Sequence, residues 1–211
     1  MTELIVKGGL LMLPILLCSV LALAIFFERI ICFARIKNGG NDLASSIAKL
    51  LKENRVGEAL DTAKKSGSPM GRILMHAIDA INCNNETLET VIINATEEEI
   101  RELSSNLQIL ATIANIAPLL GLLGTVLGMI KAFMVIQEMG GKVNASVLAG
   151  GIWEAMLTTA LGLAVALPAI VAHSYLLSKI DKYEAQLQSG AVTFMKGIPL
   201  HPRLIPSKVR E

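Results

Sequence analysis

The sequence of 211 residues is 53% hydrophobic and 18% charged, with a formal net charge of +1, and its mean hydropathy is +0.57. These proportions lie outside the usual range of water-soluble domains and indicate an integral membrane protein. The near-neutral charge gives no indication of the concentrated basic face that nucleic-acid binding requires, so no nucleic-acid partner is expected.

The first predicted element is a membrane-spanning helix over residues 8–33, which follows an N-terminal segment of residues 1–7. Its uncharged run from Gly8 to Phe27 is long enough to cross a bilayer. A cleaved signal peptide is the competing interpretation, because residues 22–24 resemble a cleavage site. The run is long for a signal and its flank is weakly basic, so we expect the span to stay in the mature protein.

Residues 34–107 are predicted to form a helical region, because apolar residues recur there with the helical period. The segment Ser66-Gly-Ser-Pro69 is a strong helix breaker within this region. From Glu86 the pattern runs into the next apolar segment without Gly or Pro, which predicts one helix from Glu86 to Ile136. The acidic cluster Glu97-Glu98-Glu99 is predicted to be a solvated face of this helix.

Two further spans are predicted over residues 108–136 and 146–177, joined by a short loop at 137–145 and followed by a tail at 178–211. The tail is expected to be poorly ordered after Gly190. Basic residues follow the first and third spans, whereas the N-terminal segment and the short loop hold one lysine each. The positive-inside rule therefore places the N-terminus and the short loop outside, and the helical region and tail in the cytoplasm.

The predicted fold class is thus an all-α integral membrane protein with three transmembrane helices, N-out and C-in, and long helices that extend into the cytoplasm. Membrane lipid is expected to contact its spans.

Glu154 is the main candidate for a functional residue, because it lies among apolar and small residues in the third span. A carboxylate in such a place is costly by a few kcal/mol or more, so it normally faces a protein or water-filled interior. Its simplest role is to bind and release a cation, most simply a proton. Thr158 lies one turn later on the same helix face, whereas Thr159 is rotated by about 140° and points toward another neighbour.

The second span contains the small-residue spacing of Gly124 and Gly128, and Gly121 continues that side. Such residues let a neighbouring helix approach closely, and Gly162 keeps the third span narrow in the same way. Pro118 removes one backbone hydrogen bond of the second span.

Lys131 and His173 lie toward the ends of their spans, and both are interpreted as structural residues whose polar ends reach interfacial water.

No catalytic pair, metal-ligand cluster or phosphate-binding loop is evident, so we expect neither an enzyme nor a cofactor. The three cysteines are far apart and follow no metal or redox spacing. Three spans with one carboxylate make an incomplete transport pathway, which predicts self-association and a partner that supplies a complementary group.

Two segments at this spacing resemble the MotA/TolQ/ExbB proton channel family, and most closely its ExbB and TolQ branch. They are LATIANIAPLLGLLGTVLGMI at residues 110–130 and GGIWEAMLTTALGLAVALP at residues 150–168. The sequence lacks the four-span pattern and the length of flagellar MotA. Asn115 is more polar than the small residues expected at that position.

The resemblance implies a multi-pass subunit of a motor in the bacterial inner membrane, which makes the outer side the periplasm. It implies five copies around a pore that holds the helices of two ExbD- or TolR-like single-span partners, with a TonB/TolA-like energy transducer as a further candidate partner. By matching position, Glu154 is the family's intramembrane glutamate, and Thr125 and Thr159 are its pore threonines. Pro118 and Pro168 stand where family members carry prolines.

Three alternatives stay open at the sequence level. The same motor could run on sodium, because a carboxylate and two threonines also supply oxygen ligands for Na⁺. A passive membrane scaffold would use Glu154 for packing or partner binding. A self-sufficient channel would need no single-span partner. The sequence does not decide between energised outer-membrane transport, envelope maintenance and surface motility.

Overall fold

The computed structural model describes residues 11–36, 40–138 and 145–198, and their regular secondary structure is entirely helical, as the sequence predicts. The helices are α1 (Met12–Arg35), α2 (Gly40–Lys52), α3 (Val56–Ser66), α4 (Pro69–Asp79), α5 (Asn85–Ser104), α6 (Leu107–Glu138) and α7 (Ala145–Gly197).

Three helical segments are long and apolar enough to cross a membrane, namely Met12–Ala34, Leu107–Glu138 and Ala149–Gly197. The prediction of three spans is therefore confirmed by length and composition. Residues 8–10 of the first predicted span, and residues 139–144 of the short loop, lie outside the described residues.

The chain divides into two compact units. Unit 1 comprises Met1–Ile30 and Asn106–Leu176, and unit 2 comprises Ile31–Ser105 and Leu177–Glu211. The three apolar segments lie mainly in unit 1, whereas the short amphipathic helices α2 to α5 form unit 2 with the C-terminal part of α7.

The turn between α3 and α4 shows why the predicted breaker ends one helix and begins the next. Gly67 adopts a left-handed conformation with φ of 58° and donates its backbone N–H to the carbonyl of Lys64. Ser68 then caps α4, because its hydroxyl accepts the N–H of Gly71 at 3.1 Å. Pro69 occupies the first turn, where its missing N–H is tolerated. The predicted breaker is confirmed.

The prediction of one continuous helix from Glu86 to Ile136 is wrong. Helix α5 ends at Ser104 and α6 begins at Leu107. Asn106 adopts a left-handed conformation with φ of 64°, which asparagine tolerates better than most residues do. Its carbonyl accepts the N–H of Leu110 at 3.2 Å and so starts the next helix.

The expectation that the tail is poorly ordered after Gly190 is also wrong as far as residue 197, because α7 continues to Gly197. Leu187, Ala191 and Phe194 recur on one face of this helix and are buried in the core of unit 2. Burial of these apolar side chains offsets the entropy lost on ordering the segment. Residues 199–211 lie outside the described part of the chain.

The acidic cluster contains a partly buried ion pair that the sequence pattern does not reveal. Glu97 and Glu98 are exposed, but Glu99 is only 7% exposed. Its carboxylate accepts hydrogen bonds from two nitrogens of Arg72, with Nε–Oε1 at 2.5 Å. The prediction of a solvated face is therefore wrong for Glu99. The pairing raises the pKa of Arg72 above its ordinary value.

Candidate ion pathway

Helices α6 and α7 pack in direct contact along a row of small residues. A Cβ added to Gly121 would lie 2.9 Å from the Cα of Thr159, and one added to Gly128 would lie 2.8 Å from the Cβ of Ala155. Residues later in α6 thus contact residues earlier in α7, so the two helices run antiparallel. Separations this short leave no room for larger residues at these glycines.

The same contact row continues at both ends of the helix pair. A Cβ on Gly162 would lie 2.6 Å from the carbonyl oxygen of Ala117. A Cβ on Gly151 would lie 3.0 Å from the Cβ of Ala132. The register between α6 and α7 is therefore defined over several turns.

Both predicted prolines lie inside long helices, Pro118 in α6 and Pro168 in α7. Each lacks the N–H that would bond the carbonyl four residues earlier, at Ala114 and Ala164 respectively. Pro168 lines an apolar cavity of about 950 Å³ between α1 and α7, whose other walls include Phe26, Leu110 and Tyr175. Glu154 does not line this cavity.

The three candidate threonines differ in where their hydroxyls donate. Thr125 donates to the carbonyl of Leu122 at 2.7 Å, and Thr158 donates to the carbonyl of Ala155 at 2.8 Å. Both bonds lie within one helix. Thr159 instead donates to the carbonyl of Gly121 at 2.8 Å and so connects α7 to α6. The rotation of Thr159 away from the face of Thr158 is what directs it to this neighbour.

Thr158 is buried, with 2% of its surface exposed. A Cβ on Gly124 would lie 2.6 Å from the Cβ of Thr158, so the glycine makes room for the threonine. The structure therefore places Thr158 between the helices. Thr125 and Thr159 are partly exposed.

Glu154 has a charged neighbour that the sequence interpretation missed. The Nζ of Lys131 lies 3.8 Å from Oε1 of Glu154, with 66% of the lysine side chain and 31% of the glutamate side chain exposed. The interpretation of Lys131 as a structural residue reaching interfacial water overlooked this pair. In an antiparallel hairpin, residues at similar distances before and after the loop lie opposite each other. Counting residues from the predicted loop could therefore have placed Lys131 near Glu154.

Large apolar side chains are exposed on all three long helices, and Leu17, Phe133, Trp153 and Val171 are each more than half exposed. Exposed apolar surface of this extent needs lipid or other protein as cover. Together with the three helices of membrane-spanning length, it indicates an integral membrane protein.

The chain belongs to the MotA/TolQ/ExbB proton channel family, whose sequence model matches residues 65–189. This confirms the resemblance found in the sequence and places the chain among transport and channel proteins. The match includes all of α4, α5 and α6 and most of α7.

Individual relatives agree with this assignment. The chain is 32% identical over 166 residues to the putative biopolymer transport protein ExbB-like 3 of Synechocystis sp., which covers 78% of this chain and 79% of that protein. It is 32% identical over 161 residues to the biopolymer transport protein ExbB of Pseudomonas putida, covering 71% and 48%. It is 38% identical over 91 residues to the Tol-Pal system protein TolQ of Haemophilus influenzae, covering 43% and 39%.

Proposed function

We propose that this chain is the ion-conducting, stator-like subunit of a motor complex in the bacterial inner membrane. The complex uses the proton motive force to drive work at a distance, either energised outer-membrane transport or envelope maintenance. The observation that carries the proposal is Glu154, a carboxylate on a membrane-length apolar helix beside the close α6–α7 contact, in a member of a proton channel family.

In this proposal Glu154 accepts the permeating proton or tunes its path electrostatically. Thr125 and Thr159 support it, because each hydroxyl that donates to a carbonyl keeps lone pairs that accept from water or from a partner. Thr158 is enclosed between the helices, so its contribution is to hold α6 and α7 together beside the pathway.

One chain provides only part of this pathway, so the working unit is an assembly. We propose a homopentamer, N-out and C-in, around the single transmembrane helices of two ExbD- or TolR-like partners. The exposed apolar faces of α1, α6 and α7 support contacts with lipid and with neighbouring subunits. Each proton that moves inward releases about 2.3 kcal/mol per 100 mV, so several protons are needed for mechanical work.

The test is proton flux in proteoliposomes that contain the chain and a candidate single-span partner encoded by a neighbouring gene. Under an imposed potassium-diffusion potential, the Glu154→Gln complex is expected to assemble but to show a proton flux reduced about tenfold or more. This loss is expected when an essential intramembrane ion-binding group is removed. Glu138→Gln is the matched control, because Glu138 is exposed and is the last residue of α6. Full flux in assembled Glu154→Gln would contradict the proposal.

The same preparation separates the competing functions. Flux that requires Na⁺ and stops when choline replaces it would identify the sodium-driven motor. Altered assembly of Glu154→Gln without a specific loss of flux would identify a scaffold. Full activity without any single-span partner would identify a self-sufficient channel.

A further inference from the structure

The pair of Lys131 and Glu154 joins the two apolar helices at a defined place in their packing. On α6, Lys131 follows Gly128 and precedes Ala132; on α7, Glu154 follows Gly151 and precedes Ala155. The Gly128–Ala155 and Ala132–Gly151 contacts therefore bracket the ion pair. The backbone register, and not only the flexibility of the lysine side chain, places the two charges opposite each other.

The two charged groups of the pair are near each other, but their separation is too long for a hydrogen bond. The distance of 3.8 Å between Nζ and Oε1 is within Coulombic range but longer than the 2.7–2.9 Å of a charge-assisted hydrogen bond. The ammonium is carried on a flexible four-carbon stem and two-thirds of the side chain is exposed. It can therefore swing away from the carboxylate without breaking any packing contact of the helix backbones.

The other ionisable side chains in the described parts of the two spans are farther away. Glu138 lies two helical turns beyond Lys131, about 10 Å along the axis of α6, and His173 lies about 28 Å from Glu154 along α7. On α1, Glu28 interacts with Arg29 and with Asn106. Lys131 is thus the cation that the described structure places at Glu154.

We propose that the Lys131 ammonium is a tethered counter-ion of Glu154. The ammonium pairs with the carboxylate when no permeating cation is bound there, and it must move away before such a cation binds. This inference rests on the proposed function of Glu154 as the ion site. In this inference Lys131 is a positioning residue that determines how readily Glu154 binds an ion. Its ammonium competes with the permeating ion for the carboxylate, and this competition requires no partner protein.

The first test detects the proximity of Lys131 and Glu154 by cross-linking in membranes that contain the full chain. A water-soluble carbodiimide activates a carboxyl group, and a neighbouring amine then displaces the urea to form an amide with net loss of one water. Mass spectrometry is expected to find the peptides of Lys131 and Glu154 joined in this way. Absence of this product, while exposed carboxylates elsewhere are modified, would contradict the proposed pair.

The second test uses labelling of Glu154 by dicyclohexylcarbodiimide, which reacts with protonated carboxyl groups in apolar surroundings. Lys131→Gln removes the competing cation and is expected to raise the labelling rate at neutral pH about threefold, the scale of a partly exposed ion pair. Lys131→Arg keeps the charge and is expected to label like the wild type. Equal rates in all three proteins would overturn the inference.

Flux measurements separate a failure of this inference from a failure of the proposed function. In the reconstituted complex, Lys131→Gln is expected to conduct protons about threefold faster than the wild type at the same potential, because no tethered cation competes. If Glu154→Gln keeps full flux, the proposed function fails. If Glu154→Gln loses flux but Lys131→Gln matches the wild type in both flux and labelling, only the counter-ion inference fails.

Discussion

The hydroxyl of Thr159 on α7 donates a 2.8 Å hydrogen bond to the backbone carbonyl of Gly121 on α6. The bond lies beside one of the closest approaches of the two helices, where a Cβ on Gly121 would lie 2.9 Å from the Cα of Thr159. In the proposed function the same residue holds the helices together and offers its remaining lone pairs to the ion pathway, so we propose that packing and conduction are coupled at Thr159.

Thr159→Val removes this link with little change of volume. We expect it to destabilise the α6–α7 pair by about 0.6 kcal/mol and by no more than about 1.7 kcal/mol, the average and the maximum found for interhelical hydrogen bonds in a membrane protein. Thermal unfolding of the full chain in detergent measures the effect. Thr112→Val is the control, because Thr112 is exposed and donates within its own helix to Gln108. Equal stability of the two variants would show that the interhelical bond contributes nothing.

Gly124→Ala tests the close packing of the two helices. The new Cβ would lie 2.6 Å from the Cβ of Thr158, so the helices must separate at a cost of about 1–3 kcal/mol. Loss of assembled complex and a lower unfolding temperature are the expected readouts. Gly150→Ala is the matched control, since a Cβ there meets open space. A Gly124→Ala protein as stable as Gly150→Ala would refute this packing.

Arg72→Ala tests the partly buried ion pair of unit 2. It leaves the Glu99 carboxylate buried without its guanidinium, and we expect a loss of about 2–3 kcal/mol. The value stays below that of a fully buried pair because 46% of the Arg72 side chain is exposed. Hydrogen exchange of α4 and α5 in the full chain should accelerate. Arg101→Ala, at an exposed position of α5, should leave exchange unchanged; matching behaviour of the two variants would argue against a stabilising pair.

Tyr183 lies beyond the predicted third span of residues 146–177 and packs against the core of unit 2, and its ionisation makes the stability of unit 2 depend on alkaline pH. Burial, and then the nearby negative charge of Glu99, raise the pKa of the Tyr183 phenol above its ordinary value of 10.0. The neutral phenol therefore contributes stability that is fully present below about pH 10 and is lost as pH rises toward the folded-state pKa. Tyr183→Phe should flatten the fall of unfolding temperature between pH 9 and 11. An unchanged slope would exclude Tyr183 as its source.

Some of the fold follows from local chemistry and is therefore readable in the sequence. Gly67 and Pro69 mark a helix boundary through local backbone preferences, because glycine readily adopts positive φ and proline lacks the backbone N–H. The three spans are readable for a similar reason, since the length and uniform apolarity of a segment are properties of that segment alone.

Other features depend on partners that are distant in sequence. Glu99 has the same type of neighbours as Glu97 and Glu98, and only the packing of α4 against α5 gives it Arg72. Asn106 carries no stronger breaking signal than many asparagines within helices, yet its backbone takes the left-handed conformation between two long helices. The segment 191–197 directly precedes a proline-containing tail, and only the packing of Phe194 in the core of unit 2 shows that it is ordered.

At the proposed ion site the sequence by itself determined that a carboxylate stands in an apolar span, because the cost of burying a charge is a property of that residue and its surroundings. It also determined the family, since each of the two motifs is a continuous segment of the chain. Only the tertiary structure decided what stands beside Glu154. The glycine contacts set the register of α6 and α7, and that register brings the ammonium of Lys131 to 3.8 Å from the carboxylate.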